Sequence, residues 1–421
     1  MDGRSAPNPD EKRATGADCG KTGMTSRTQT TFAPPVMEAR RWLEGVTFPD
    51  NQPLINVSQA APVDPPPAPL RAAMAEALEL PETHLYGPVL GLPALRAELS
   101  AQWSAHYHGT ARPDQVAITS GCNQAFAATI AALCIEGDEV ILPTPWYFNH
   151  KMWLDMSGVV AVPLPTDADL IPDAAAARSL ITPKTRAISL VTPNNPGGVE
   201  YPDETLAEFF TLARDTGIKL IVDETYRDFD SRPNPPHPLL ADPNWDDTLI
   251  QLYSFSKAYR LTGHRVGAII AHPNLLAEIE KFLDTVAICP SQLGQRAALW
   301  GLQNLGDWLA GERDEILDRR AAIHDNMALI EAKGWRLMGC GAYFAYLEHP
   351  FAESSATLAP KLVQEIGVLA LPGTMFTPAE DPSGARQFRV AFANVDRAGI
   401  EALFTRLASL DWPLATPGPA A

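Results

Sequence analysis

From residue 116 to residue 271 the chain keeps one rhythm of short apolar runs and longer intervening stretches, which sharply limits the folds open to it. The runs are Val116-Ala117-Ile118, Val140-Ile141-Leu142, Val159 to Leu164, Ala187 to Val191, Leu220-Ile221-Val222, Leu249 to Tyr253 and Val266 to Ala271. Most are separated by stretches with helical spacing, such as Glu204 to Arg214. Strands that alternate with helices line up in one sheet, and the helices cover its faces. The expected class is α/β, a large domain with a mainly parallel sheet flanked by helices.

On both sides of this unit the pattern changes. Before it come a short helix from Pro35 to Glu44, the stretch Ile55 to Pro62 with a proline cluster, and a helix from about Pro69 to Leu80. A turn at Tyr86-Gly87-Pro88 and Gly91 precedes an amphipathic helix, Pro93 to His106. After about Leu305 a long helical pattern, Trp308 to Ala332, leads away from the sheet. A strand near Tyr343 to Leu347, a helix from Thr357 to Ile366, a strand around Phe388 to Phe392 and a last helix, Ala398 to Leu410, follow. These imply a smaller α+β domain built from both chain ends. The expected division is a disordered segment 1–30, the N-terminal part of the small domain at 31–65, the large domain at 66–305, and the rest of the small domain at 306–421. Residues 1 to 30 are polar, rich in Thr, Gly and charge, and without periodicity. Met24 is an alternative start to Met1.

Composition excludes some partners. A formal net charge of -17, with no Lys/Arg run, argues against nucleic-acid binding. Cys19, Cys122, Cys134, Cys289 and Cys340 show no CxxC pair, which fits a reducing compartment and no disulfide framework. No apolar run is long enough to span a bilayer. The N-terminus lacks the apolar core of a signal peptide, so the cytoplasm is the expected location.

The chemistry concentrates in Ser254-Phe255-Ser256-Lys257-Ala258-Tyr259-Arg260-Leu261-Thr262-Gly263-His264-Arg265, between two apolar runs. That places Lys257 at the tip of a loop between two strands. A lysine forms a Schiff base with an aldehyde only when its amine is neutral, so a desolvated loop near other cations suits it. The hydroxyls before it and Arg265 after it are what a phosphate dianion needs. A lone lysine beside an arginine is usually just a solvated surface pair; the whole constellation is more specific.

It closely resembles the lysine loop of the class I/II aminotransferases, fold type I enzymes that use pyridoxal 5'-phosphate (PLP). The resemblance runs from about Ile55 to the last helix. It implies that Lys257 carries PLP and that Asp223, at the end of a strand, partners the pyridine nitrogen. Thr192-Pro193-Asn194-Asn195-Pro196-Gly197-Gly198 is similar to the family's Asn-Pro-Thr-Gly segment, with Gly197 in place of Thr. Asn195 and Tyr226 are then the partners of the cofactor's phenolic oxygen. Gly121 and Cys122, opening a helix, offer backbone amides to the phosphate, together with Ser254 and Arg265. Tyr147 lies on the ring, with its neighbour Trp146 as the alternative. Arg389, interrupting the apolar strand Phe388 to Phe392, matches the family's clamp for the substrate carboxylate. Tyr86 resembles the tyrosine that reaches the partner's phosphate in a homodimer with shared sites. Ala60 stands where many relatives have a glycine beside the substrate, so a methyl narrows the pocket there. His264 before Arg265 is also unusual.

The implied reaction moves an amino group from an amino acid to a 2-oxoacid through the Lys257 Schiff base. A PLP-dependent carbon–sulfur β-lyase or decarboxylase on the same scaffold is the alternative, because the cofactor carries the chemistry common to all three. A transcription regulator with an aminotransferase-like domain needs a winged helix ahead of that domain, and about 30 polar residues do not supply one. Glu280 to Gln295 contains no arginine, which disfavours an aspartate specialist. No metal site is expected.

Overall fold

The computed structural model describes residues 26–233 and 235–415. The N-terminal elements are α1 (Pro35–Arg41), β1 (Ile55–Asn56), α2 (Ala68–Leu78) and α3 (Pro93–His106). The central run is β2 (Val116–Thr119), α4 (Cys122–Leu133), β3 (Glu139–Thr144), α5 (Phe148–Ser157), β4 (Val160–Pro165), α6 (Ala174–Leu180), β5 (Thr185–Val191), α7 (Asp203–Thr216) and β6 (Lys219–Asp223). It continues through β7 (Leu249–Ser254), α8 (Phe255–Ala258), β8 (Gly267–Ile270), α9 (Pro273–Ala287) and α10 (Gln292–Asn304). The remainder is α11 (Gly306–Asn326), α12 (Ala328–Glu331), β9 (Arg336–Gly341), β10 (Phe344–Glu348), α13 (Ser355–Ile366), β11 (Val368–Leu369), β12 (Leu371–Pro372), β13 (Gln387–Ala391) and α14 (Arg397–Ala408).

Seven strands form the large sheet in the order β2-β8-β7-β6-β5-β3-β4. Every pairing from β7 to β4 is parallel, while β8 runs antiparallel to both of its neighbours. Successive side chains of a strand point to opposite faces. Leu220 and Val222 accordingly enter the core beneath α3, α7 and α10, and Ile221 enters the one beneath α4 and α9. With both faces covered, such strands read as unbroken apolar runs. A four-stranded antiparallel sheet, β12-β13-β10-β9, makes the smaller unit, and its core takes in Ile55, Val57 and Ala60 from the N-terminal side.

Some expectations shift. The Lys257 segment is a single helical turn, α8, rather than an open loop; the Ser254 hydroxyl caps it by accepting from the Ser256 N–H at 3.3 Å. The long helix foreseen to Ala332 breaks at Met327 into α11 and α12. β9 was not foreseen, because Arg336-Leu337-Met338-Gly339-Cys340-Gly341 carries no alternation. Residues 26–30, expected to be disordered, form a 3₁₀ turn tied to the main body. Arg27 pairs with Glu136, and the Thr30 hydroxyl donates to the Asp155 carbonyl at 2.9 Å. Residues 1–25, including Met24, lie outside the described residues. Among the described residues no helix is long and apolar enough to cross a membrane.

Candidate active site

In open parallel sheets, ligands gather beyond the carboxyl ends of the strands. Asp223 closes β6, Ser254 closes β7, and Asn195 follows β5. These ends open onto a cavity of about 290 Å³ whose wall also carries Ala60, Cys122, Tyr147, Tyr226, Lys257, Arg265 and Arg389. Gly121 abuts it through Arg265: a Cβ on Gly121 would stand 2.3 Å from Arg265 Nη2, and its φ of +91° suits glycine. Sequence-distant residues are thus brought together, with one exception. Tyr86 is 80% exposed and does not line the cavity of its own chain. Of the two aromatic candidates Tyr147 lines the cavity, whereas Trp146 packs into the core under α4.

The electrostatics of this cavity are lopsided. Burial, with Arg265 and Arg389 nearby, draws the Lys257 amine down to about 8. Its Nζ donates to the Ala60 carbonyl at 2.5 Å and lies 5.9 Å from the centre of the Tyr226 ring. Arg389 is only 2% exposed, at the middle of β13 between β10 and β12. Its guanidinium donates to Asn195 Oδ1 at 3.1 Å and to the Ser58 carbonyl, and lies 5.1 and 5.0 Å from the Phe344 and Phe376 ring centres. Among the described residues it has no carboxylate partner. Burial brings it down to about 10. Among the described residues Arg265 likewise donates only to neutral groups, the Thr262 carbonyl at 3.0 Å and the Ser256 hydroxyl at 3.4 Å.

Asp223 is the counterweight. Burial pushes its carboxyl up, but His150 and Thr225 outweigh that and hold it below its usual range. Oδ1 accepts from the Thr225 amide and hydroxyl at 3.0 and 2.7 Å and from the Cys122 thiol at 3.5 Å. His150 Nε2 stands 3.2 Å from Oδ2, within ion-pair reach though not aligned as a hydrogen bond. The Tyr147 hydroxyl accepts from Asn149 at 2.9 Å and reaches Asn123 at 3.3 Å; burial, then Asp223, pushes it up to about 12.

Sequence reasoning passed over His150, Thr225 and Asn123. Two of these had a signal. His150 sits three residues after Tyr147, hence on the same side of α5, and stacks on Phe126 at 3.8 Å. Thr225, two residues beyond an aspartate, is the usual donor of an Asx turn.

A mainly parallel sheet with helices on both faces, a smaller antiparallel domain and a lysine facing an aspartate at the strand ends define a fold type I transferase. The solved structure of the Thermus thermophilus aspartate aminotransferase with maleate superposes with a TM-score of 0.83 over 92% of this chain and 99% of that one, at 23% identity. An aromatic aminotransferase of Arabidopsis thaliana is 28% identical over 92% of this chain and 96% of its own length. A valine–pyruvate aminotransferase of Mycobacterium tuberculosis is 29% identical over 81% and 87%. The family "Aminotransferase class I and II" matches residues 52–407. The chain belongs to that family and is an aminotransferase; class I and II aminotransferases depend on PLP.

Proposed function

We propose that the chain holds PLP on Lys257 and transfers an amino group from an amino acid to a 2-oxoacid at this cavity. The observation that carries the reading is Lys257: an amine lowered to about 8, flanked by two arginines without acid partners and facing one buried carboxylate. These residues fit the cofactor. The start of α4 at Gly121-Cys122, with Ser254 and Arg265, supplies amides, a hydroxyl and a cation for a phosphate. Asp223 is kept ionised, as a partner for a protonated pyridine nitrogen must be. Asn195 and Tyr226 are left for the phenolic oxygen, and Tyr147 for the ring face.

When bound, PLP supplies an aldehyde that captures the substrate amine and a ring that withdraws electrons from its α-carbon. Arg389 orients the substrate through its α-carboxylate, as a buried guanidinium does best with a planar anion. Once released, Lys257 Nζ takes the proton from the α-carbon as a general base, and an amine near 8 is substantially neutral at mildly alkaline pH. Borohydride reduction and peptide mapping should place the cofactor on Lys257; a label on another lysine would end the assignment. Pyruvate and 2-oxoglutarate are the acceptors to try first, since relatives in Mycobacterium tuberculosis and Pseudomonas aeruginosa are named for pyruvate.

The same reading makes the enzyme a cytoplasmic homodimer, divided near residues 65 and 305 into its two domains. Tyr86 then serves the partner's phosphate, and its exposure beside exposed Leu78, Leu80 and Leu85 supports this. Inactive Lys257→Ala and Tyr86→Ala proteins, unfolded together and refolded, should regain activity, because one site of each hybrid is intact. Hybrids that form without gain would place Tyr86 in its own subunit.

A further inference from the structure

The stretch Ser58 to Ala61, at the rim of the cavity, belongs to no strand or helix, and side chains hold it in place. The Ser58 carbonyl accepts from Arg389, and the Ala60 carbonyl accepts from Lys257 at 2.5 Å. Between them the Gln59 carbonyl accepts from Asn394 Nδ2, and the Ala61 amide donates back to Asn394 Oδ1 at 3.4 Å. Asn394 Nδ2 also reaches the Asn56 carbonyl at 3.5 Å. One carboxamide thus grips this strap on both sides of Ala60, which takes a group that donates and accepts at once. Gln59, Ala60 and Ala61 all line the cavity, whereas Asn394 does not. It stands on the far side of the strap, in the wall of a second cavity of about 420 Å³ together with Pro62, Val63 and Asp64.

The ties differ in what the proposed reaction leaves of them. Lys257 is the cofactor's anchor and Arg389 the substrate's clamp, and both tasks compete with the strap for the same N–H groups. Arg40 holds only the Gln59 side chain, at 2.8 Å. Among the described residues, Asn394 is then the side chain left to hold the backbone of residues 59–61.

We propose that Asn394 is a positioning residue for the transfer: it keeps the Gln59–Ala61 wall in register with Arg389 and Lys257 once the reaction has drawn their N–H groups away. This rests on the aminotransferase reading. Asn394 ends the 3₁₀ turn Phe392–Asn394 that directly follows β13, so the substrate's clamp and the wall's clamp stand on one element. That strand is buried throughout, and its Ala391 amide donates to the Val57 carbonyl at 2.8 Å, which fixes where the strap begins. Without Asn394 the wall must be ordered anew at each binding event, at a cost in conformational entropy. The loss falls on substrate affinity, while the chemical step at Lys257 keeps its own groups.

The test compares wild type, Asn394→Ala and Asn394→Asp, all loaded with PLP. Hydrogen exchange is read alongside the half-reaction with an amino acid donor that the wild type accepts. The second variant keeps the shape of the side chain but cannot donate to the Gln59 carbonyl. Exchange in the segment 57–64 should quicken about 3-fold to 10-fold in both variants, while peptides from β10 and β13 keep wild-type protection. KM for the donor should rise by a similar factor, with kcat held within about 2-fold. Unchanged exchange in the strap, faster exchange with an unaltered KM, or a fall in kcat alone would each overturn the proposal. Protection lost across the whole small domain would also overturn it, by making Asn394 merely structural. A wild type that transfers no amino group from any donor would strike the aminotransferase reading instead, and strap exchange would still decide whether Asn394 holds the wall.

Discussion

Asp223 and Glu224 are neighbours at the end of β6, yet they serve two opposite kinds of polar interior. Asp223 faces the cavity, where Arg389, Arg265 and Lys257 stand without a carboxylate of their own. Glu224 points to the far side and is fully enclosed by partners. It accepts from the Tyr107 hydroxyl at 2.7 Å and Gln251 at 2.5 Å, and lies 3.4 Å from His237. Arg227 completes that cluster, 3.3 Å from the Tyr107 hydroxyl, 3.6 Å from Asp228, and 3.9 Å from the centre of the Trp103 ring. Both Arg227 and Arg389 are buried, but they titrate in opposite directions. Burial pulls Arg227 down, and Tyr107, Asp228, Tyr253 and Glu224 more than reverse it. Burial prevails at Arg389, which has tyrosines but no carboxylate to offset it, and it falls to about 10. A buried charge paired within the chain serves the fold, and one left without a counter-ion is kept for a ligand.

The sharpest way to break this contrast is at Lys257. Lys257→Ala should cost about 10²–10⁴-fold or more in rate, since the general base goes together with the cofactor's anchor. Compared in the cofactor-free form, its melting temperature should not fall below that of the wild type, because among the described residues no acid loses a partner. A destabilised but active variant would place Lys257 with the structural charges.

The two arginines come next. Arg227→Met leaves Glu224 and Asp228 buried beside an apolar chain, and should cost roughly 3–5 kcal/mol of stability. Activity per folded molecule should survive. Arg389→Met strands no carboxylate, so thermal unfolding should show equal or greater stability. Its kcat/KM for every amino acid donor should drop by the equivalent of roughly 2–5 kcal/mol. If both variants lose stability alike, the distinction between paired and reserved charge is wrong.

Much of this was legible in the sequence. Alternating apolar runs announce the sheet because its strands are covered on both faces. Asp223 and Asn195 are marked by their place after a strand. Strand direction was not legible, since β8 is as apolar as the parallel strands of the sheet and only its pairing reveals the reversal. Nor was the role of Glu224: in sequence it is simply the next acid, and its partners come from residues 107, 237 and 251, far apart along the chain.

The smallest expected effect is the most direct measure of what the cavity costs without its cofactor. In the cofactor-free protein Lys257 titrates near 8, below its ordinary value of 10.5, chiefly through burial. Between these two values the unfolded chain binds more protons at this site than the folded one, so stability rises with pH across that window. Below about 8 both states carry the proton, and the folded state bears the whole penalty of a desolvated cation beside Arg265 and Arg389. Lys257→Met removes the penalty. The cofactor-free variant should therefore melt above the cofactor-free wild type at pH 7, by up to a few degrees for a chain of this size. The gap should shrink steadily from pH 8 to pH 10.5, where the wild-type amine is neutral in both states. A gap independent of pH would mean that methionine gains only by packing, and that Lys257 bears no charge penalty in the cavity.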